Sequence, residues 1–389
     1  MADTMARRHR IDPLGALLAA LGAAALLWLP FVVFKLNRIL PGDARTLSQV
    51  LPLSASVACD AGLLLIALVA LGVADSRVRL AAGLLGVIIV AAAVATAGNL
   101  LTPAGNRVVR VAPGSGFWLL LAAVALMATD AITRLRPRPA VRVLMLALFG
   151  AIAVGALAHG SFDHLSVMRE YAVNADRFAR ELRQHVWLAL SSLAAAIVVA
   201  LPLGILCHRV PRLRAGALAS LNVIQTIPAI ALYGILMAPL GALAAAVPLA
   251  ARLGIRGIGT APAVLALFLY SLLPVVANTV AGLRRVSPAA VEAARGMGMT
   301  RWQILTAIEL VLALPTILTG IRIVLVQNIG LVTVAALIGG GGLGVFVFQG
   351  IGQTAIDLVL LGAIPTVALA FAAAVLLDAL VESMNRARQ

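Results

Sequence analysis

The chain reads as an all-α polytopic membrane protein with about ten transmembrane helices. Three observations lead there. Its mean hydropathy is +1.06. Only 12% of its residues are charged, while 62% are hydrophobic. The hydrophobic residues collect in runs close to the ~20 residues a helix needs to cross a bilayer. In lipid such Leu, Ala and Val runs satisfy their backbone as helices or as a closed barrel, and the two-residue alternation of a barrel is absent.

The candidate spans are 14–34, 53–74, 78–98, 117–133, 141–160, 186–207, 216–238, 261–283, 311–338 and 354–380. The first follows a basic start and so looks like a signal peptide. Its apolar run is too long for that, and further spans follow, so it reads as an uncleaved helix. The fourth is the shortest and carries Asp130. Residues 1–160 therefore form a five-span N-terminal extension.

Residues 161–185 are the longest polar stretch. Leu165, Met168, Ala172, Ala175, Phe178 and Leu182 recur there at helical spacing. The stretch is either an amphipathic helix on the outer membrane surface or a solvated linker helix. Residues 186–389 supply five more spans. Both halves have five spans, but they share no sequence pattern that would make them an internal repeat.

The net charge of +15 is nearly all arginine, and Lys35 is the sole lysine. With the N-terminus inside, the cytoplasmic segments hold 18 of the 30 basic residues, among them Arg7, Arg8, Arg10, Arg134, Arg136, Arg138, Arg142, Arg209, Arg212, Arg214 and Arg388. The outer segments hold 11, including Lys35, Arg38 and Arg107, and Arg322 lies inside a span. This bias places both termini in the cytoplasm and marks a membrane topology, not a nucleic-acid partner. Cys59 and Cys207 lie in or at the end of spans and make no disulfide framework.

No catalytic constellation stands out. His9, His159, His164, His185 and His208 sit in terminal or connecting segments without metal-ligand spacing, so no metal site is expected. The only lysine follows Phe34, so a G-x-x-x-x-G-K-[ST] phosphate loop is impossible. The glycine run 339–344 reads as a tight turn that lets helices approach closely, with a place in an outer gate.

Charges inside spans are expensive and usually functional. Asp60 and Asp130 could form a proton relay, which makes a proton-coupled secondary transporter the alternative reading. Arg322 either snorkels or pairs with Glu309 on its own helix. Uncharged polar residues also interrupt the later spans: Asn222, Gln225, Thr226 and Pro228 in the seventh, Asn278 in the eighth, Gln327, Asn328 and Thr333 in the ninth. Such residues either join helices or line a translocation pathway, where irregular backbone is tolerated.

Residues 284–310 form a charged, glycine-containing loop between two spans. Within it, EAARGMGMTRWQILTAIEL places Glu292, Ala293 and Ala294 before Gly298, then Ile308 and Leu310. The alanines favour helix, Gly298 ends it, and Trp302, Ile304 and Leu305 resume an apolar face. A short helix–turn–helix on the inner membrane surface results.

This pattern resembles the coupling loop of binding-protein-dependent ABC importer permeases, E-A-A-x-x-x-G-x9-I-x-L-P. Glu292, Ala293, Ala294, Gly298, Ile308 and Leu310 match it. Val311 stands in place of the proline, and Pro315 follows. The segments LNVIQTIPAIALYGIL, FLYSLLPVVANTVAGLRRVSPAAVEAARGMGMTRWQIL and AALIGGGGLG look like permeases of osmoprotectant importers, which carry glycine betaine, choline and carnitine. The resemblance covers about residues 181–389. It implies a five-helix permease core over 186–389 in a bacterial inner membrane. It further implies an ATPase dimer that binds the ATP, an external solute-binding protein, and a second permease that is identical or related. No cofactor is expected on this chain itself.

Overall fold

The computed structural model describes residues 12–37, 40–103, 105–106 and 108–386. Arg7, Arg8, His9, Arg10, Arg38, Arg107 and Arg388 lie outside the described residues. The chain divides into two compact units. One joins Met1–Arg138 with Leu148–Val173; the other joins Pro139–Ala147 with Asn174–Gln389.

The first unit holds helices α1 (Pro13–Trp28), α2 (Leu53–Gly72), α3 (Ser76–Leu101) and α4 (Ser115–Leu135). The expected first span stops early. Leu29 takes an extended conformation (φ −107°, ψ 143°), as the residue before a proline does. The Val- and Phe-rich segment beyond Pro30 becomes strand β1 (Val32–Lys35). It pairs with β2 (Asp43–Arg45) and β3 (Arg110–Pro113) in an antiparallel sheet of order β2-β1-β3. This small sheet is a local departure from the all-α expectation: β1 takes the end of the first apolar run, and β2 and β3 come from connections.

Leu18, Leu63, Ile66, Val90, Val94, Leu120, Val124 and Met127 form this unit's core. A Cβ on Gly83 would lie 2.9 Å from the Ala128 nitrogen, and one on Gly86 would lie 2.6 Å from a Val124 methyl. Small residues thus let α3 and α4 approach closely. At the end opposite the sheet, Arg79 is 1% exposed. It pairs with Asp12, and with Asp130 at 3.4 Å; Arg134 reaches the same two carboxylates at 3.1 and 2.8 Å.

Helix α5 (Pro139–Ala158) has no buried residue, which suits a helix solvated by lipid. Helix α6 (Ser166–Arg209) corrects the sequence reading. Asn174 leaves helical geometry (φ −113°, ψ 15°), so α6 is two helices that meet there. The part of the polar stretch 161–185 beyond Asn174 is not separate from the sixth span, because no glycine or proline stops the helix between there and Pro202.

The second unit continues with α7 (Pro211–Thr226), α8 (Ala229–Ala246) and α9 (Thr260–Arg284). The expected seventh span, 216–238, is two helices. Pro228 holds Ile227 extended (φ −70°, ψ 126°) and lacks the N–H that would continue the helix. Then come α10 (Pro288–Gly296), α11 (Leu310–Ala335), the short α12 (Gly344–Gly352) and α13 (Ile356–Arg386). Among the described residues nine helices are long and apolar enough to cross a membrane, and α1 is a shorter apolar tenth.

Helix α9 packs along α11 and against α7 and α8; α11 and α12 pack on α13. Gly320 makes the α9–α11 approach possible, since a Cβ there would lie 2.7 Å from Asn278 Cβ and 2.9 Å from the Pro274 oxygen. Arg322 does not pair with Glu309. It pairs with Asp378 of α13, which also accepts from Arg142 at 2.6 Å.

Candidate functional site

Loop 284–310 is assembled from local signals. Ser287 precedes Pro288, a favoured first helical residue, and α10 then runs to Gly296. Gly298 has φ +79°. The Gly298 N–H donates to the Arg295 oxygen at 2.9 Å, and the Met299 N–H donates to the Ala294 oxygen at 3.1 Å. These two bonds around a left-handed residue make a Schellman cap. Thr300 and Gln303 then start the next helix with reciprocal capping bonds.

The loop presents a mixed surface. Ala294 is buried and Ile308 and Leu310 are half-buried, so these three anchor the loop. Glu292, Ala293 and Gly298 are exposed, as are Met297 (73%) and Trp302 (70%). A small-residue helix with one carboxylate and two large apolar side chains in the open is suited to a protein cleft.

Between Trp302 and α11 the backbone makes one π-helical segment, Ile304–Glu309. The wider turn brings Glu309 to a buried position, where it pairs with Arg209 at the foot of α6. With no proline at position 311, the helix continues from the loop through α11 without a break, and Pro315 is absorbed inside it. Arg295 and Arg301 stand beside this pair in an open groove floored by Ile304 and Leu305.

The polar residues proposed to line a pathway fall into two groups. Asn328 is fully buried; its amide donates to Ser192 Oγ and Ser271 Oγ, both at 3.0 Å, and so joins α6, α9 and α11. Gln225 Nε2 donates to the Tyr270 carbonyl at 2.8 Å. Pro274 has no N–H for that carbonyl four residues back, so Gln225 replaces the missing donor. The Tyr270 hydroxyl in turn donates to the Ile227 carbonyl at the α7–α8 break. Asn278 donates to the Pro274 oxygen, and Thr226 to the Val223 oxygen. These four side chains hold helices or turns. Asn222 and Pro228 are exposed, while Gln327 and Thr333 are half-buried.

Three residues of α6 clasp the glycine run. Glu181 accepts from the Gly342 N–H at 2.7 Å, and Gln184 donates to the Gly340 carbonyl at 3.1 Å. His185 is fully buried, which corrects its placement in a connecting segment. The Leu343 N–H donates to His185 Nδ1 at 3.2 Å, so Nε2 carries the proton and donates to the Ile329 carbonyl at 2.9 Å. Gly339, Gly341 and Gly342 all have positive φ, which the turn requires. Sequence reasoning missed this clasp, Ser192, and the Arg209–Glu309 pair. The one available signal was the 181–192 spacing of Glu, Gln, His and Ser on one long helix.

The proton-relay alternative finds no support. Arg79 and Arg134 engage Asp130, while Asp60 accepts from Ser56 at 3.5 Å.

Both halves of the chain are similar to known proteins. Residues 196–387 match the family model of binding-protein-dependent transport system inner membrane components. Residues 12–168 match a second model, the N-terminal domain of the ABC transporter permease YehY. The osmoprotectant import permease protein OsmW of Salmonella typhimurium is 42% identical over 49% of this chain and 84% of its own length. The carnitine transport permease protein OpuCD of Listeria monocytogenes is 38% identical over 55% and 90%. The choline transport system permease protein OpuBD of Bacillus subtilis is 37% identical over 54% and 87%. A solved inward-facing MetNI methionine ABC transporter aligns at TM-score 0.44 and 21% identity over 53% of this chain and 95% of its own. The chain belongs to the family of binding-protein-dependent transport system inner membrane components, the permeases of ABC importers.

Proposed function

We propose that this protein is the permease of an importer for small quaternary ammonium osmoprotectants: glycine betaine, choline or carnitine. The observation that carries the reading is the capped loop 284–310, which presents Glu292 and Ala293 on a surface helix, in a chain of which 49% is 42% identical to an osmoprotectant permease. ATP is bound and hydrolysed by a separate ATPase dimer, since the sequence has no lysine for a phosphate loop. An external binding protein delivers the solute, and a second permease, identical or related, completes the pathway. Both termini lie in the cytoplasm of the bacterial inner membrane.

In this reading ATPase closure moves α10 and the exposed Met297 and Trp302 that follow it. Glu309 passes the movement to Arg209, and so to α6, whose other part grips the glycine run through Glu181, Gln184 and His185. Asn222, Gln327 and Thr333 face the solute; Gln225, Thr226, Pro228, Asn278 and Asn328 hold the broken helices that frame the pathway. Few aromatic residues are available for a cation–π cage, so selectivity rests mainly with the binding protein.

The test is uptake of labelled glycine betaine at high osmolarity. The intact chain is compared with a Glu292→Arg, Gly298→Val variant at equal membrane abundance. Uptake by the first and its loss in the second is expected. Equal uptake in both sinks the coupling role, and uptake by neither removes the solute.

A further inference from the structure

The first unit contains a site that the permease reading leaves unused. A cleft of about 550 Å³ opens among α1, α2 and α4, within the size range that holds a small organic molecule. Its walls are aliphatic, with Leu63 and Met127 among them, and one carboxylate, Asp60, faces into it. Thr46 and Ser48 add hydroxyls at the end of the cleft beside β2. Among the described residues no arginine, lysine or aromatic side chain lines it.

Asp60 is the seventh residue beyond Leu53, the first of α2, hence about 10 Å along that helix at 1.5 Å per residue. A carboxylate at such a place is costly unless it meets a positive charge. The other acidic residue of the unit's spans, Asp130, has Arg79 and Arg134; for Asp60 the described bond is the long one from Ser56, at 3.5 Å. One carboxylate and two hydroxyls are too few hard ligands for a divalent cation in an apolar wall. Without aromatic faces, recognition rests on charge and aliphatic contact.

We propose that this cleft binds an organic monocation with an apolar body, an alkylammonium amphiphile, with Asp60 as its counter-ion. The apolar body occupies the space beside Leu63 and Met127. A ligand carrying its own carboxylate is repelled by Asp60, which sets this site apart from one for zwitterionic solutes.

The full chain in lipid nanodiscs is titrated with octyltrimethylammonium by calorimetry, with empty nanodiscs as the background. Saturable binding of one molecule per chain is expected. Asp60→Asn should weaken it at least tenfold and Asp60→Glu should retain it, while octyl sulfate should not bind. Gly22 lines the cleft, and a Cβ on it meets nothing within 4 Å, so the backbone there admits a side chain, and Gly22→Leu, which places an isobutyl group in the cleft, should also abolish binding. Signals that do not saturate, that are equal in Asp60→Asn, that octanol reproduces, or that survive Gly22→Leu would each overturn the proposal. Uptake plays no part in this readout, so the site stands or falls independently of the transport reading.

Discussion

At the scale of single residues, the second unit is held together by polar side chains that repair broken helices. The Tyr270 carbonyl would be left without a donor by Pro274, and Gln225 donates to it at 2.8 Å. A buried acceptor left unpaired costs about 1–3 kcal/mol. Gln225→Leu should therefore lower the thermal unfolding midpoint measured in detergent. Pro274→Ala restores a backbone N–H for the same carbonyl, so in that background the Gln225→Leu cost should largely vanish. An equal cost in both backgrounds would show that Gln225 acts elsewhere. The sequence revealed that Gln225, Asn278 and Asn328 interrupt apolar runs. It did not reveal which of them join helices, because that depends on partners 45 and 57 residues away.

At the scale of elements, what was legible and what was not divides along the same line. The helix–turn–helix of loop 284–310 was readable because its signals are local: Ala293 and Ala294 favour helix, Gly298 makes the turn, and Trp302, Ile304 and Leu305 resume an apolar face. The unbroken run from beyond Asn174 through the sixth span was not, since a polar stretch followed by an apolar one suggests two elements even where no glycine or proline intervenes. The π-helical segment was equally invisible. It widens the helix where Glu309 meets an arginine 100 residues away, a tertiary demand with no local mark. If this pair links the loop to α6, Glu309→Gln should leave loop docking intact and lower solute moved per ATP hydrolysed. The exchanged pair Arg209→Glu, Glu309→Arg should recover part of that ratio in proteoliposomes. A Glu309→Gln variant with an unchanged transport-to-hydrolysis ratio would assign the pair to stability alone.

At the scale of the whole molecule, about half of this chain accounts for 84–90% of the length of the OsmW, OpuCD and OpuBD relatives. Those proteins therefore hold a permease core without five added spans, and the second unit here is expected to fold by the same contacts. Pro139–Ala147, the first part of α5, belongs with the second unit, where Arg142 pairs with Asp378 and Glu382 of α13. A span with no buried residue has little else to fix its place. Because Asp378 and Glu382 are each about a third or more exposed, screening limits the cluster to about 0.5–1 kcal/mol. Deletion of residues 1–138 keeps this attachment, whereas deletion of 1–160 removes it. The longer product should unfold at the higher temperature and copurify better with its ATPase. Arg142→Ala in the longer product should bring it down to the shorter one, and the difference should shrink as salt is raised. Equal stability of the two deletion products, at low and high salt alike, would mean that α5 serves only the first unit.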